Sequence, residues 1–276
     1  MKVAIVGCGY VGSGVANLWH RLGDEVTVTT TTPNKKNRLQ EIASQVVILT
    51  GNDLDALKQL VADKDVVLLS VGAKQRTPDT YYRAYLETTT NVVRAIQATG
   101  NVRQLIYTSS YGILGKQESE VVDETAIPNP NSEYSQILTQ TEQMLLSVPE
   151  SEFKTCIVRL SGIYGPGREL IKIFGGLSGK TRPGLGDKYT NWVHLDDIVG
   201  AIDFAKRKQL QGIYNLASEQ TLTTKEFFER LFSAHNLPGV TWDESQNDPR
   251  SYNMKLSSQK IKDAGYEFIR PNIKFI

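Results

Sequence analysis

The sequence predicts an α/β fold, a doubly wound parallel sheet carrying a small C-terminal cap. Three observations predict it. Short runs that are apolar at every position, such as Val3-Ala4-Ile5-Val6 and Val66-Val67-Leu68-Leu69, read as strands buried on both faces of a sheet. Segments with helical apolar spacing alternate with these runs, which calls for right-handed crossovers and parallel strands. A glycine cluster, Gly7-Cys8-Gly9-Tyr10-Val11-Gly12, joins the first strand directly to the first helix.

At 276 residues the chain can bury a full core, as one large or two interlocked domains. Its net charge of +1 gives no general attraction to nucleic acid or to a membrane surface, so the expected partner is a small-molecule substrate. No apolar run is long enough to span a bilayer, and the N-terminus enters a strand without a charged leader, which reads as cytoplasmic. Cys8, in the glycine turn, and Cys156, in an expected strand, read as reduced thiols. Neither has a cysteine or histidine at ligand spacing, so no metal site is expected.

Taken in order, the first strand ends in GxGxxG. Gly7 permits the tight turn, Gly9 leaves room for a pyrophosphate, and Gly12 lets the helix pack closely on the strand. The N–H groups at the helix start then face the phosphates, which makes Gly7, Gly9, Tyr10, Val11 and Gly12 cofactor-binding in a Rossmann-type domain. A purely structural glycine turn is the competing reading.

Asp24 to Thr30 is β-branched and reads as the second strand. An acidic residue at its end would accept the ribose 2′-OH, but this chain has Thr30, Thr31 and Thr32, then Lys35 and Lys36. Hydroxyls and lysines suit a 2′-phosphate, so NADP is expected. NAD is the alternative if the lysines only solvate a helix start. Val46 to Leu49 reads as the third strand. Asp53 N-caps the next helix, and Asp53 and Leu54 join the cofactor set. Asp65 to Val71 is the fourth strand, bringing Ser70, Val71 and Gly72 to the carboxyl edge beside Gly7 and Thr30. Thr80 to Ala98 reads as one long helix whose stripe of Tyr82, Tyr85, Leu86, Thr89, Val93 and Ile96 faces the core. Gln104 to Thr108 is the fifth strand and runs into Ser109-Ser110-Tyr111-Gly112.

These last residues carry a family resemblance. Tyr107 to Gly115 resembles the strand-end serine motif of extended short-chain dehydrogenases/reductases of the NAD(P)-dependent epimerase/dehydratase type. Arg159-Leu160-Ser161-Gly162-Ile163-Tyr164-Gly165-Pro166-Gly167 resembles that family's RxxxxYGPG segment, Trp192 to Ile198 its VHVDDV element, and Gly212 to Ala217 its final core strand. The resemblance implies that Ser110 and Tyr134 are the catalytic serine and tyrosine. It also implies hydride exchange with a small carbonyl or hydroxyl compound, a sugar derivative among the candidates, and a homodimer through the helices from Thr80 and Glu133. His194 is then a residue that holds a loop against the sheet, with Asp196 and Asp197 capping the next helix.

Two departures stand out. The glycine spacing is GxGxxG where the family has GxxGxxG, and Leu138 occupies the lysine position of YxxxK, with Glu142 fixing the register. A lysine one turn after the tyrosine lies on the same helix face and favours the phenolate. Leu138 offers the Tyr134 phenol no such cation. The phenol can still donate a proton, which suits carbonyl reduction. The alternative function is a non-catalytic NAD(P)-binding sensor or scaffold that has lost turnover.

By this reading residues 1–161 and 192–217 form the dinucleotide-binding domain, and 162–191 with 218–276 the small substrate cap. Gly162 to Asn191 reads as a glycine-rich loop, a plausible lid whose Arg168, Lys172, Lys180, Arg182 and Lys188 serve a sugar phosphate or merely solvate a face. Thr221 to Ala234 reads as an amphipathic helix capped by Thr223 or Thr224, and Lys255 to Ile276 as a short helix and a tail.

Overall fold

The computed structural model describes residues 1–117, 120–248 and 253–276. It divides into two compact units, the first made of Met1–Ile113, Pro130–Arg159 and Val199–Tyr214, the second of Leu114–Asn129, Leu160–Ile198 and Asn215–Ile276. Residues 114–129 and 192–198, which strand order alone assigns to the first domain, thus fall in the second unit. The local cause is that Val121–Val122 pairs in parallel with Lys255–Leu256 and Trp192–His194 with Gly162–Tyr164.

The first unit is built on β1 (Lys2–Val6), β2 (Glu25–Thr30), β3 (Gln45–Ile48), β4 (Val66–Leu69) and β5 (Gln104–Ser110). With strands Lys154–Leu160 and Gly212–Leu216 they form one seven-stranded sheet in the order Gly212–Leu216, Lys154–Leu160, β5, β4, β1, β2, β3. The pairings from β5 to β3 are parallel, and Ile5 lies between Val28 and Leu68. β1 and β4 are buried along nearly their whole length, as their unbroken apolar runs require. The chain winds outward from β1 to β3 and then returns to the other side of β1. The order therefore reverses between β1 and β4, and a crevice opens at their carboxyl ends.

Helix α1 (Tyr10–Arg21) buries Val11, Val15, Ala16 and Trp19 against the sheet. Trp19 Nε1 donates to Asp203 at 3.1 Å, and Lys206 and the N-terminal ammonium both pair with Asp24, closing the start of the chain onto helix Leu195–Lys208. Arg159 and Glu142 form a buried bidentate pair at 2.7 Å, each side chain 2% exposed, which fixes helix Glu133–Leu146 to strand Lys154–Leu160.

The helix expected from Thr80 begins at Pro78 behind a Thr77–Thr80 capping box and ends at Thr99, but its middle is a π-helical segment, Tyr82–Glu87. The wider turns rotate the tyrosine stripe out of register. Val93 and Ile96 stay in the core, while Tyr82 is 49% exposed and Tyr85 half-buried. The stripe is core only in its second half.

In the second unit the glycine-rich stretch is more ordered than a loop. It contributes strands Gly162–Tyr164 and Thr181–Pro183 and helix Leu170–Phe174, and its glycines lie flat on indole rings: a Cβ on Gly162 would come 2.7 Å from Trp192, and one on Gly186 2.6 Å from Trp242. The core here is aromatic. Helix Thr224–Ala234, capped by Thr223 with Glu226 in a capping box, supplies Phe227, Phe228, Leu231 and Phe232, and Trp192 stacks on Phe227 at 5.4 Å. Asp197 does not act as a helix cap. Its carboxylate accepts from the backbone N–H groups of Ile269 and Arg270 and from the Tyr266 hydroxyl, which ties down the C-terminal tail. Among the described residues no helix is long and apolar enough to cross a membrane.

Candidate active site

The turn after β1 distinguishes three glycines by what surrounds them. Gly7 has φ +92°, and a Cβ on it would lie 2.6 Å from the Ser70 carbonyl oxygen. A Cβ on Gly12 would lie 2.4 Å from the Gly7 carbonyl oxygen. The protein's own packing therefore demands both. Gly9 is different: its φ is −88°, and a Cβ would meet nothing within 4 Å. Nothing inside the chain explains a bare residue there, whereas a ligand pressed against the backbone does. Gly9 is also the N-cap of α1, and no side chain caps that twelve-residue helix or places an acid in its first turn, leaving the helix start available to an anion.

Thr29 holds the turn in shape. Its Oγ1 accepts the Gly7 N–H and its carbonyl the Cys8 N–H, both at 3.0 Å. Burial pushes the Cys8 thiol pKa up and keeps it protonated.

A cavity of about 560 Å³ opens from this turn, within the usual range for ligand pockets. It gathers Gly7, Gly9, Thr30, Thr31, Ser70, Val71 and Gly72 from the three strand ends, together with Lys35, Lys74 and the Thr50-Gly51-Asn52 turn. Its far wall is the π-helical segment, through Arg83, Ala84 and Glu87, flanked by Thr80 and Thr88 of the helical turns on either side. A smaller cavity of about 240 Å³ adjoins Gly9 and is lined by Cys8, Tyr10, Ser13, Lys35, Arg38 and Leu39. Val11 and Gly12 are buried behind α1 rather than at either cavity. Asp53 lies outside too: its carboxylate caps helix Leu54–Val61 by accepting the Ala56 N–H at 3.0 Å, and Leu54 follows it into the helix. Lys35 and Arg38 stand three positions apart, a helical spacing that the sequence carries openly. Arg83 and Glu87 reach the cavity through the π turn, which no sequence pattern announces.

Ser110 ends β5, and its Oγ accepts the Gly112 N–H at 3.1 Å, leaving the hydroxyl proton to donate. Tyr134 lies in the first turn of its helix, behind the Ser132–Ser135 capping box. Its hydroxyl donates to the Arg76 carbonyl at 3.0 Å, the Arg76 guanidinium sits 5.3 Å from the ring centre, and Tyr81 packs on it at 4.8 Å. Ser110 and Tyr134 belong to the same unit, though neither lines the 560 Å³ cavity.

The model of the NAD dependent epimerase/dehydratase family matches residues 3–217. The chain belongs to that family. It is thereby an NAD(P)-binding enzyme of the epimerase and dehydrogenase class. Protein YeeZ of Escherichia coli is 28% identical across 98% of this chain and 97% of its own length. The decarboxylating sterol-4-alpha-carboxylate 3-dehydrogenase erg26 of Schizosaccharomyces pombe is 27% identical across 82% of this chain and 68% of its own. Among solved structures, UDP-glucose 4-epimerase of Thermus thermophilus, in complex with NAD, superposes with TM-score 0.79 at 22% identity, covering 100% of this chain and 95% of that one. UDP-N-acetylglucosamine 4-epimerase of Methanobrevibacter ruminantium gives 0.81 at 17% identity, covering 96% and 92%. These two likenesses carry the fold.

The position one helical turn after Tyr134, where the resemblance implies a lysine, holds Leu138. Leu138 is 9% exposed and packed as an apolar residue, so the site has no ammonium one turn from the phenol. His194, in the second unit, stands edge-on to Tyr164 at 5.0 Å, and its Nδ1 accepts the Asp196 N–H at 3.1 Å. Burial holds its pKa below the ordinary 6.5. That is a structural histidine. The basic residues of the glycine-rich stretch are partly engaged as well: Lys172 pairs with Glu169, Arg182 lies over Phe228, and Lys188 donates to the Asp248 carbonyl.

Proposed function

We propose that the protein reduces the carbonyl of a small, sugar-derived compound with NADPH, using Ser110 and Tyr134 as hydrogen-bond and proton donors. One observation carries the direction of reaction: the Tyr134 hydroxyl is already a donor, to the Arg76 carbonyl, and Leu138 places no ammonium one helical turn from it. The dinucleotide is held at Gly9 and the start of α1, with Ser70, Val71 and Gly72 along it, and Lys35 and Arg38 receive the 2′-phosphate in the smaller cavity.

When bound, a reduced nicotinamide would supply the hydride. Ser110 donates to the carbonyl oxygen and polarises the bond. Tyr134 exchanges the Arg76 carbonyl for the same oxygen and delivers the proton as that oxygen becomes a hydroxyl.

The test is NADPH oxidation with a panel of carbonyl compounds, followed at 340 nm. The native chain turns over at least one of them, and Tyr134→Phe lowers kcat by about 10²–10⁴-fold. A second reading, a cofactor-binding protein without turnover, is favoured by the burial of Leu138. It is the correct one if the native chain is inert and Leu138→Lys gains activity.

A further inference from the structure

Arg76 stands beside the reacting phenol, and the dinucleotide reading makes no use of its charge. Its carbonyl accepts the Tyr134 hydroxyl at 3.0 Å, its guanidinium lies over the Tyr134 ring at 5.3 Å, and it lines neither cavity. The backbone on both sides of it is held: Thr80 Oγ1 donates to the Gln75 carbonyl at 2.6 Å, and Thr77 caps the following helix through its capping box with Thr80. Between Ser70 and Pro78 the chain carries Lys74 and Arg76 and no acid, and Asp79 pairs with Arg83 at 3.1 Å. Among the described residues no carboxylate pairs with Arg76, and Glu133, which precedes Tyr134 on its helix, is no exception.

An exposed guanidinium in water needs no partner. Docking of a substrate changes that. A carbonyl oxygen that takes the Tyr134 hydrogen bond replaces the Arg76 carbonyl there, and the body of the molecule then covers the guanidinium alongside. A neutral compound strips water from the cation and returns nothing. A carboxylate close to the reacting carbonyl pairs with the planar fork through two N–H donors and neutralises it. One guanidinium also matches the single charge of a carboxylate better than the nearly double charge of a phosphate ester.

We propose that the compound reduced carries a carboxylate next to its carbonyl group, and that the Arg76 guanidinium receives it. The inference names the substrate class of the reduction proposed above and rests on that reading. Its test adds to the panel of carbonyl compounds a set of short hydroxylated 2-oxo acids, each alongside its amide, with NADPH oxidation followed for the native chain and for Arg76→Met. That exchange keeps an unbranched stem against the ring and removes the charge.

The native chain uses the best acid with a kcat/KM about 10- to 100-fold above that of its amide, the range of a hydrogen bond to a charged group, and the difference lies in KM. In Arg76→Met the ratio of acid to amide falls to within about twofold, with Tm at the native value. Equal use of acid and amide by the native chain overturns the proposal, as does turnover of neutral carbonyl compounds alone, and both leave the reduction standing. A ratio that survives in Arg76→Met also overturns it, since the guanidinium then only packs on the ring. Oxidation of NADPH with no compound of the panel overturns the reduction itself, and the proposal with it.

Discussion

Replacing Gly9 and Gly12 separately should pull ligand binding apart from stability. In Gly12→Ala the new Cβ would stand 2.4 Å from the Gly7 carbonyl oxygen and 3.3 Å from Ile5 Cγ2. Alanine gains about 1 kcal/mol of helix propensity over glycine, but the contact is with backbone, and relieving it shifts α1 off β1. Overpacking of that kind costs about 1–3 kcal/mol, here at the upper end, for a net loss of about 1–2 kcal/mol. In a chain of this size that lowers Tm by about 2–8 °C. Gly9→Ala places its methyl in open space. A poorer N-cap costs about 0.5–1 kcal/mol and the stiffer unfolded chain returns about as much, so Tm moves by no more than about 2 °C. Dinucleotide binding responds the opposite way. A methyl on Gly9 holds the diphosphate off the α1 N–H groups, and losing one charge-assisted hydrogen bond weakens binding about 10- to 100-fold. Differential scanning fluorimetry and calorimetric titration on the two variants measure both effects. If Gly9→Ala is as unstable as Gly12→Ala, or binds like the native chain, the reasoning about this turn is wrong.

Three further outcomes follow from the same geometry. Arg38→Glu weakens NADPH at least about tenfold while leaving NADH nearly unchanged, as parallel titrations would read; an equal loss for both would contradict the 2′-phosphate assignment. Arg159→Met leaves Glu142 charged and buried without its partner, costing about 3–5 kcal/mol in urea unfolding, and the double variant with Glu142→Leu recovers most of it. Since burial lowers the His194 pKa, the unfolded chain takes up that proton first. Its contribution to stability is full above the unfolded value of about 6.5 and is lost as pH falls through that range. The slope of Tm between pH 5 and 7 should flatten in His194→Gln, and an unchanged slope refutes it.

The sheet was legible because buried parallel strands leave unbroken apolar runs, and Gly7 and Gly12 mark the strand-to-helix turn by sterics alone. The Asp53 cap and the Thr223 capping box were legible because a cap is a local hydrogen bond between residues three apart. What escaped was non-local or unpatterned. The π segment at Tyr82–Glu87 has no sequence signature, so the exposure of Tyr82 and the reach of Glu87 to the cavity could not be read. Asp197 resembles a cap by position, yet it binds backbone groups some seventy residues away. Residues 114–129 leave the first unit because of a two-residue pairing with Lys255–Leu256, too short to show as periodicity.

The central claim is that the first turn of the chain holds a dinucleotide, and calorimetric titration of the native protein with NADPH and with NADH tests it most directly. The account predicts saturable binding of one dinucleotide per chain, tighter for NADPH. No binding of either at millimolar concentration would contradict it.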